Sequence, residues 1–320
     1  FAMNWWINLK GRVRLREPLK GHTTFKIGGP AEFFIEPKDP NDLKLLLGLA
    51  KRYNLAISVI GRGSNLLIND KGVKGVVLRL SAPYFKKLSY KPRPFANGRG
   101  KDNYLEVGSG VWLGKVVLFA KEHGLSGAEF LAGIPGTVGG ALAMNAGIAK
   151  KVTRSTLKRG YPESQARCIG GLVKEVTVMD YNGNIKTLSK KGIRFGYRAS
   201  SLSEYIILSA IMKLRLRNKE QINDKIKAYL KYRKLTQDLS KPSAGCIFGN
   251  PAGHSAGRLI DSCGLKGKRA GGAGVSLKHA NFILNLADAR ARDVLKLMDL
   301  IKKEVKGKFN TDLKPEVNIW

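Results

Sequence analysis

Apolar residues recur along this chain with two periods. Between Asp39 and Tyr53, Leu43, Leu46, Leu47, Ala50 and Tyr53 fall three and four apart, which marks one face of a helix. Asp39 supplies a capping side chain and Pro40 suits the first turn. FFIEP (33–37) before it reads as a strand end, and the β-branched run LAISVI (55–60) after it as a buried strand. VKGVVLRL (73–80) is a further strand, so the chain opens as a mixed α/β arrangement. YLEVGSG (104–110) reads as strand and turn. WLGKVVLFAKEHG (112–124) reads as a helix stopped by Gly124. GLVKEVTVMDYNGNIKTLS (171–189) is a hairpin turning at Asn182-Gly183, and YIILSAIMKLRL (205–216) is a strong strand. The character changes at Lys219, which places a domain boundary near 218. Ile222, Ile226, Tyr229, Leu230 and Arg233 then follow helical spacing with charge on the other face. HANFILNL (279–286) reads as a strand, and residues 288–309 as a last helix capped at Asp288.

The 320 residues, 43% apolar and 25% charged, suit a soluble globular protein of two or three domains. No apolar run is long enough to span a bilayer, and FAMNWWINLK lacks the basic-then-apolar build of a secretory leader. Three cysteines without a CxxC argue against a disulfide framework and for a reducing cytoplasm. The four histidines are scattered, so no metal is expected. The net charge of +33, from 57 Lys+Arg against 24 Asp+Glu, has two readings. One is a nucleic-acid-binding protein. The other, favoured here because no nucleic-acid motif accompanies the charge, is an enzyme with anionic ligands and a basic surface. Two basic segments, Phe85–Lys101 and Lys150–Arg167, are rich in Pro, Gly and Ser and read as loops.

Candidate chemistry centres on two glycine-rich stretches. Gly61, Arg62, Gly63, Ser64 and Asn65 follow a buried strand directly, and glycines at alternate positions let successive N–H groups converge on an anion. Ordinary turns use the same residues. The stretch is not a Rossmann fingerprint, because Leu66 stands where the third glycine would be. Ala132 to Gly147 (AGIPGTVGGALAMNAG) carries no charge, and a helix starting near Thr137 would aim unpaired N–H groups at an anion. A tight helix–strand packing contact explains that block equally well. Together, two such loops suit an extended diphosphate cofactor such as a dinucleotide.

GHTTFKIGGPAEFFIEP (21–37), VIGRGSNLLI (59–68), GIPGTVGGALAMNAG (133–147), FGYR (195–198), SAGCIFGNP (243–251), GRLIDSCGLKG (257–267) and KPEVNIW (314–320) occur in the order seen in the UDP-N-acetylenolpyruvoylglucosamine reductase family, which the chain resembles from about residue 10 onward. The resemblance implies an α+β protein. Its FAD-binding fold is of the vanillyl-alcohol-oxidase (PCMH) type, in two α/β subdomains (1–82 and 83–218). A C-terminal α+β substrate domain (219–320) follows, with its last residues returning to the active site. It implies reduction of UDP-N-acetylglucosamine enolpyruvate to UDP-N-acetylmuramate by NADPH through FAD, in peptidoglycan precursor synthesis, by a cytoplasmic monomer. FAD contacts are expected at Gly61, Arg62, Gly63, Ser64, Asn65 and Leu66, and at Gly133, Ile134, Pro135, Gly136, Thr137, Gly140, Ala141, Asn145, Ala146 and Gly147. The short segment after FGYR looks like the family's second subtype, which lacks a longer tyrosine-bearing loop. Another substrate on the same flavin fold is the alternative within this class.

Hydride arriving at an enolpyruvyl β-carbon leaves negative charge on the α-carbon and its carboxylate. That calls for a guanidinium, a second polar group and a proton donor. By resemblance these are Arg198, Glu316 and Cys246. Taken alone, Arg198 reads as a surface arginine, Glu316 as a surface acid and Cys246 as a small buried hydrophobe. The family usually has serine where Cys246 stands. A thiol holds its proton at neutral pH and releases it more readily than an alkanol. Tyr197, Asn250 and His279 match substrate-side positions, and Arg233, among Lys231, Tyr232 and Lys234, is a candidate for the UDP phosphates. Gln237-Asp238 replaces the usual Gln-Pro, and Gly249 the usual lysine.

Overall fold

The computed structural model describes residues 5–94, 101–148 and 167–320. The chain forms two compact units, each drawn from three stretches. The first comprises Phe1–Val13, Ile35–Gly61 and Leu78–Arg233; the second comprises Arg14–Phe34, Arg62–Val77 and Lys234–Trp320.

The first unit is built on an antiparallel sheet in the order Ile185–Ser189, Val173–Met179, Ile206–Leu216, Lys101–Gly108, Leu88–Pro94. Leu125–Ser126 pairs with the end of the longest strand. Leu105, Val107, Val176, Val178, Ala210, Met212 and Leu214 alternate onto one buried cluster, the period-2 pattern of a half-buried sheet. The helix Leu113–Glu122 adds Leu113, Val116, Val117 and Ala120. Each large side chain so buried contributes roughly 1.5–3 kcal/mol. Gly124 stops that helix with φ +64°, as its position implied, and Gly183 turns the hairpin with φ +85°. Asp39 caps Pro40–Arg52 by accepting from the Asn41 and Asp42 N–H groups.

Part of the basic segment Phe85–Lys101, expected to be a loop, is instead the strand Leu88–Pro94, with Pro92 opposite Asn103 and Pro94 opposite Lys101. Its prolines and charges hid it. They are tolerated because this strand lies at the sheet edge, where a missing N–H breaks no inner ladder. The second basic segment lies outside the described residues up to Arg167, which pairs with Ile148.

In the second unit, Val294, Leu297, Met298, Ile301 and Val305 of the helix Ala291–Phe309 pack with Leu259, Ile260, Phe25, Phe248 and Val317. A small antiparallel sheet, Arg269–Ala270, Ala273–Val275 and Ile283–Asn285, shares this core. The expected strand 279–286 is shorter than its pattern. Only Ile283–Asn285 is extended, and His279–Phe282 is a turn closed by the Phe282 N–H on the His279 carbonyl at 2.8 Å. The expected cap at Asp288 is also corrected. Asp288 sits in left-handed backbone (φ +44°) and the helix begins at Ala291. Asp293 accepts the Arg290 N–H at 3.0 Å, and Asp70 accepts those of Ala291 and Arg292 at 2.8 and 3.2 Å. A carboxylate on the first N–H groups of a helix satisfies them and opposes the helix dipole. Among the described residues no helix is long and apolar enough to cross a membrane. Asp70→Ala is expected to cost about 1–2 kcal/mol in urea unfolding, whereas Asp288→Asn, which tolerates the same backbone, changes stability by less than about 0.5 kcal/mol.

Candidate active site

In the first unit Gly61, the first residue of one glycine stretch, lies against Thr137 of the other. A Cβ at Gly61 would lie 2.6 Å from Thr137 Oγ1, so only a bare backbone permits the approach. Thr137 starts the short helix Val138–Ala143, as expected, and caps it through the Gly140 N–H at 3.4 Å. The expected outward-facing N–H groups are corrected, however. Val138 donates to the Val111 carbonyl at 2.9 Å and Gly139 to that of Ser109 at 2.8 Å. Ile134 and Gly136 donate to Leu131 and Ile134. These donors are spent on the protein, because the block is packed against the loop before the helix Leu113–Glu122. What it presents is a surface with few and small side chains: Gly133 (φ +74°), Pro135 and Gly140 are exposed, while Ile134 and Ala146 are half-buried. Gly136, Ala141 and Gly147 are buried beneath.

Asn145, in left-handed backbone (φ +42°), is a clamp. Its Nδ2 donates to the Gly196 carbonyl at 2.8 Å and its Oδ1 accepts the Gly170 N–H at 3.1 Å. That clamp brings the loop of Tyr197 and Arg198 to the end of the glycine block, where Arg198 Nη1 donates to the Gly147 carbonyl at 3.1 Å. Tyr197 is exposed, and its ring centroid lies 5.6 Å from the Arg198 guanidinium. Arg233 belongs to the buried stripe of Lys219–Thr236 with Ile222, Ile226 and Tyr229, and a Cβ at Gly133 would meet its Cδ at 2.9 Å. Burial, then the neighbouring charge of Arg198, lowers the Arg233 guanidinium to about 10. Two guanidiniums held this close, one of them desolvated, attract an anion. Lys231 and Lys234 are on the exposed face, and Tyr232 is half-buried.

In the second unit, Gly63 has φ +58°, and a Cβ there would lie 2.4 Å from the His22 carbonyl oxygen. Among the described residues the N–H groups of Gly63 and Ser64 donate to no protein acceptor, which leaves them available as the anion nest. Arg62 is exposed. Leu66 is buried and pairs in parallel with Asn318. Asn65 Nδ2 donates to the Glu316 carbonyl at 3.0 Å, and Asn65 accepts the Asn318 N–H at 3.0 Å. Glu316 in turn donates its N–H to the Ile247 carbonyl at 2.8 Å, one residue from Cys246. The glycine loop, the thiol segment and the C-terminal acid are thus joined through main-chain bonds and the Asn65 side-chain amide.

Three buried residues outside the candidate site set shape this region. Asn281 bonds the Ile247–Phe248 backbone. Asp238 accepts the hydroxyls of Ser240 and Ser276, each at 2.6 Å, and Ser276 Oγ accepts the N–H groups of Lys278 and His279 at 3.0 and 3.1 Å. The signals were an asparagine inside an apolar run and an aspartate where the family has proline. Burial alone would raise the Asp238 carboxyl, but the hydroxyls of Ser240 and Ser276 outweigh it and hold it below the usual carboxylate range. His279 is held below the usual histidine range, by burial first and by the charge of Lys266. Its Nδ1 accepts the Asn281 N–H at 3.2 Å, so the neutral ring carries its proton on Nε2. Asn250 Oδ1 accepts the Ala256 N–H at 3.0 Å and so supports the start of Ala256–Ser262. Among the described residues no group of three or more His, Cys, Asp or Glu could hold a metal ion.

Residues 31–189 match a family described as an FAD binding domain. Residues 237–320 match the UDP-N-acetylenolpyruvoylglucosamine reductase C-terminal domain. UDP-N-acetylenolpyruvoylglucosamine reductase 2 of Symbiobacterium thermophilum is 40% identical over 97% of this chain and 92% of its own length. The Bacillus subtilis reductase is 36% identical over 97% and 94%. The crystal structure of the Thermus caldophilus enzyme superposes with a TM-score of 0.74 at 34% identity, covering 98% of this chain and 99% of that one.

The residues present fit FAD, each unit taken by itself. In the first, Gly61 has no room for a Cβ and Gly133 and Gly140 are exposed; in the second, Gly63 has no room for a Cβ and, among the described residues, the N–H groups of Gly63 and Ser64 have no protein acceptor. Gly61→Ala is expected to force its loop from Thr137 at about 1–3 kcal/mol, read as loss of the flavin absorbance band from the purified protein. A second expectation concerns acid. The folded pKa of Asp238 lies below its unfolded value, so its contribution is complete above about pH 4 and is lost as pH falls through the folded value. Asp238→Asn is therefore less stable than wild type at pH 7, and the gap in urea midpoint narrows below about pH 4. With matches to both of its domains and relatives aligned along nearly its whole length, the chain belongs to the UDP-N-acetylenolpyruvoylglucosamine reductase family.

Proposed function

We propose that this protein reduces UDP-N-acetylglucosamine enolpyruvate to UDP-N-acetylmuramate with NADPH as the electron source, and that Cys246 supplies the proton. Family membership supports the reaction class. The observation that carries the residue-level reading is the chain of hydrogen bonds from the Asn65 side-chain amide to the Glu316 carbonyl and from the Glu316 N–H to the Ile247 carbonyl, beside Cys246. It ties the glycine loop to the two C-terminal candidates.

Bound FAD supplies hydride chemistry. The N–H groups of Gly63 and Ser64 would hold its diphosphate, and the Gly133–Gly147 block would supply further FAD contacts, as the resemblance implies. Arg198 holds the substrate carboxylate and is itself held by the Gly147 carbonyl. Arg233 takes a substrate phosphate, with Tyr197, Asn250 and His279 lining the substrate. His279 offers the proton on Nε2 as a donor, which suits an anionic or carbonyl acceptor. Cys246 delivers a proton to the α-carbon as the β-carbon gains hydride, and the thiolate regains its proton from solvent. Glu316 is the polar group assigned to steady the growing charge. None of the three cysteines is in a disulfide; we take the enzyme to be cytoplasmic and to act as a monomer.

The test is NADPH oxidation by the yellow protein that depends on the enolpyruvyl substrate; its absence overturns the assignment. Cys246→Ser is expected to keep turnover within about tenfold. Cys246→Ala is expected to lose about 10²–10⁴-fold in turnover while its flavin is still reduced by NADPH in an anaerobic mixing experiment. Normal turnover in the alanine variant removes Cys246 from the mechanism.

A further inference from the structure

We infer that Asn281 is the positioning residue for Cys246, an inference that rests on the thiol being the proton donor. Asn281 is 3% exposed and Phe248 is 1% exposed. The amide of Asn281 reads both backbone polar groups of that one residue: Oδ1 accepts the Phe248 N–H at 3.0 Å and Nδ2 donates to the Phe248 carbonyl at 2.7 Å. Its own carbonyl accepts the Ile247 N–H at 2.9 Å, and Cys246 lies opposite Phe282, the next residue. A side-chain amide that copies a strand partner in this way fixes both the register and the rotation of the segment. Rotation decides where the Cys246 thiol is carried.

Asn281 is itself held. Its N–H donates to His279 Nδ1, and the turn beneath it is anchored by Ser276, whose hydroxyl donates to buried Asp238. Asn281→Asp would keep the acceptor and lose the donor, and Asn281→Leu would lose both. Losing the Asn281 amide leaves the Phe248 peptide groups without that partner, while the main-chain carbonyl of residue 281 still accepts the Ile247 N–H and Ile247 still accepts the Glu316 N–H. The expected result is displacement of the thiol rather than loss of the fold. Proton transfer to carbon tolerates little displacement: a shift of about 1 Å costs on the order of 10²-fold.

The experiment uses the flavin-loaded full chain. Asn281→Asp and Asn281→Leu are compared with wild type in three readings. These are flavin reduction by NADPH, reoxidation of the reduced flavin by the enolpyruvyl substrate with its solvent deuterium isotope effect, and iodoacetamide alkylation of Cys246 with Cys263 as internal reference. Reduction is expected to stay within about twofold and reoxidation to slow by roughly 10–100-fold. The isotope effect should rise, and the ratio of Cys246 to Cys263 alkylation should change. Should Asn281→Leu fail to fold, Asn281→Asp carries the test. A folded Asn281→Asp with unchanged isotope effect and alkylation ratio overturns the inference, even if its melting temperature falls. Normal turnover of Cys246→Ala would sink the parent reading instead, so the two failures are distinguishable.

Discussion

The peptide groups of Ile247 and Phe248 are buried in an apolar core and are satisfied from both sides, by Asn281 on one and by the chain at Pro315–Glu316 on the other. Buried backbone donors and acceptors must be paired. Each pairing leaves this stretch one register and one rotation, and the placement of Cys246 and Glu316 follows from that. The C-terminal strand Asn318–Ile319 then lies parallel to Leu66–Leu67. The same constraint reaches the glycine loop, so elements more than 240 residues apart in sequence are brought to one place by main-chain bonds.

The two glycine stretches differ in what they leave for a ligand. Gly63 and Ser64 retain open N–H groups, whereas the block from Ile134 to Gly140 spends its donors internally and offers a surface with few and small side chains. One suits charge and the other suits a flat ring, for the same reason in both: the absence of Cβ atoms lets two backbones approach more closely than any other residue allows.

With 57 basic residues and 24 acidic ones, carboxylates are scarce, and many are spent on backbone N–H groups. Asp42 accepts those of Lys10 and Lys38, Glu129 that of Gly127, Glu32 that of Gly75, and Asp70 those of the last helix. A charged acceptor on a backbone donor is a strong hydrogen bond. Carboxylates used in this way leave much of the positive charge without a matched partner and favour anionic ligands.

Periodicity alone located the helices Pro40–Arg52, Leu113–Glu122 and Lys219–Thr236 and the hairpin around Asn182-Gly183, because local spacing and local turn chemistry decide them. It misjudged Leu88–Pro94, whose prolines are admissible only at a sheet edge, and the start of the last helix, whose cap comes from Asp70. It could not separate a phosphate-binding helix start from a packing contact at Thr137, since that depends on which carbonyls lie nearby. The ordered motifs singled out Arg198, Cys246 and Glu316, but Asn281 and Asp238 acquire meaning only where the folded chain puts a backbone or a hydroxyl beside them. Amino-acid order therefore determined the elements, the family and the kinds of chemistry available. Tertiary structure decided which donors remain open and what holds the thiol segment, because those depend on partners distant in sequence.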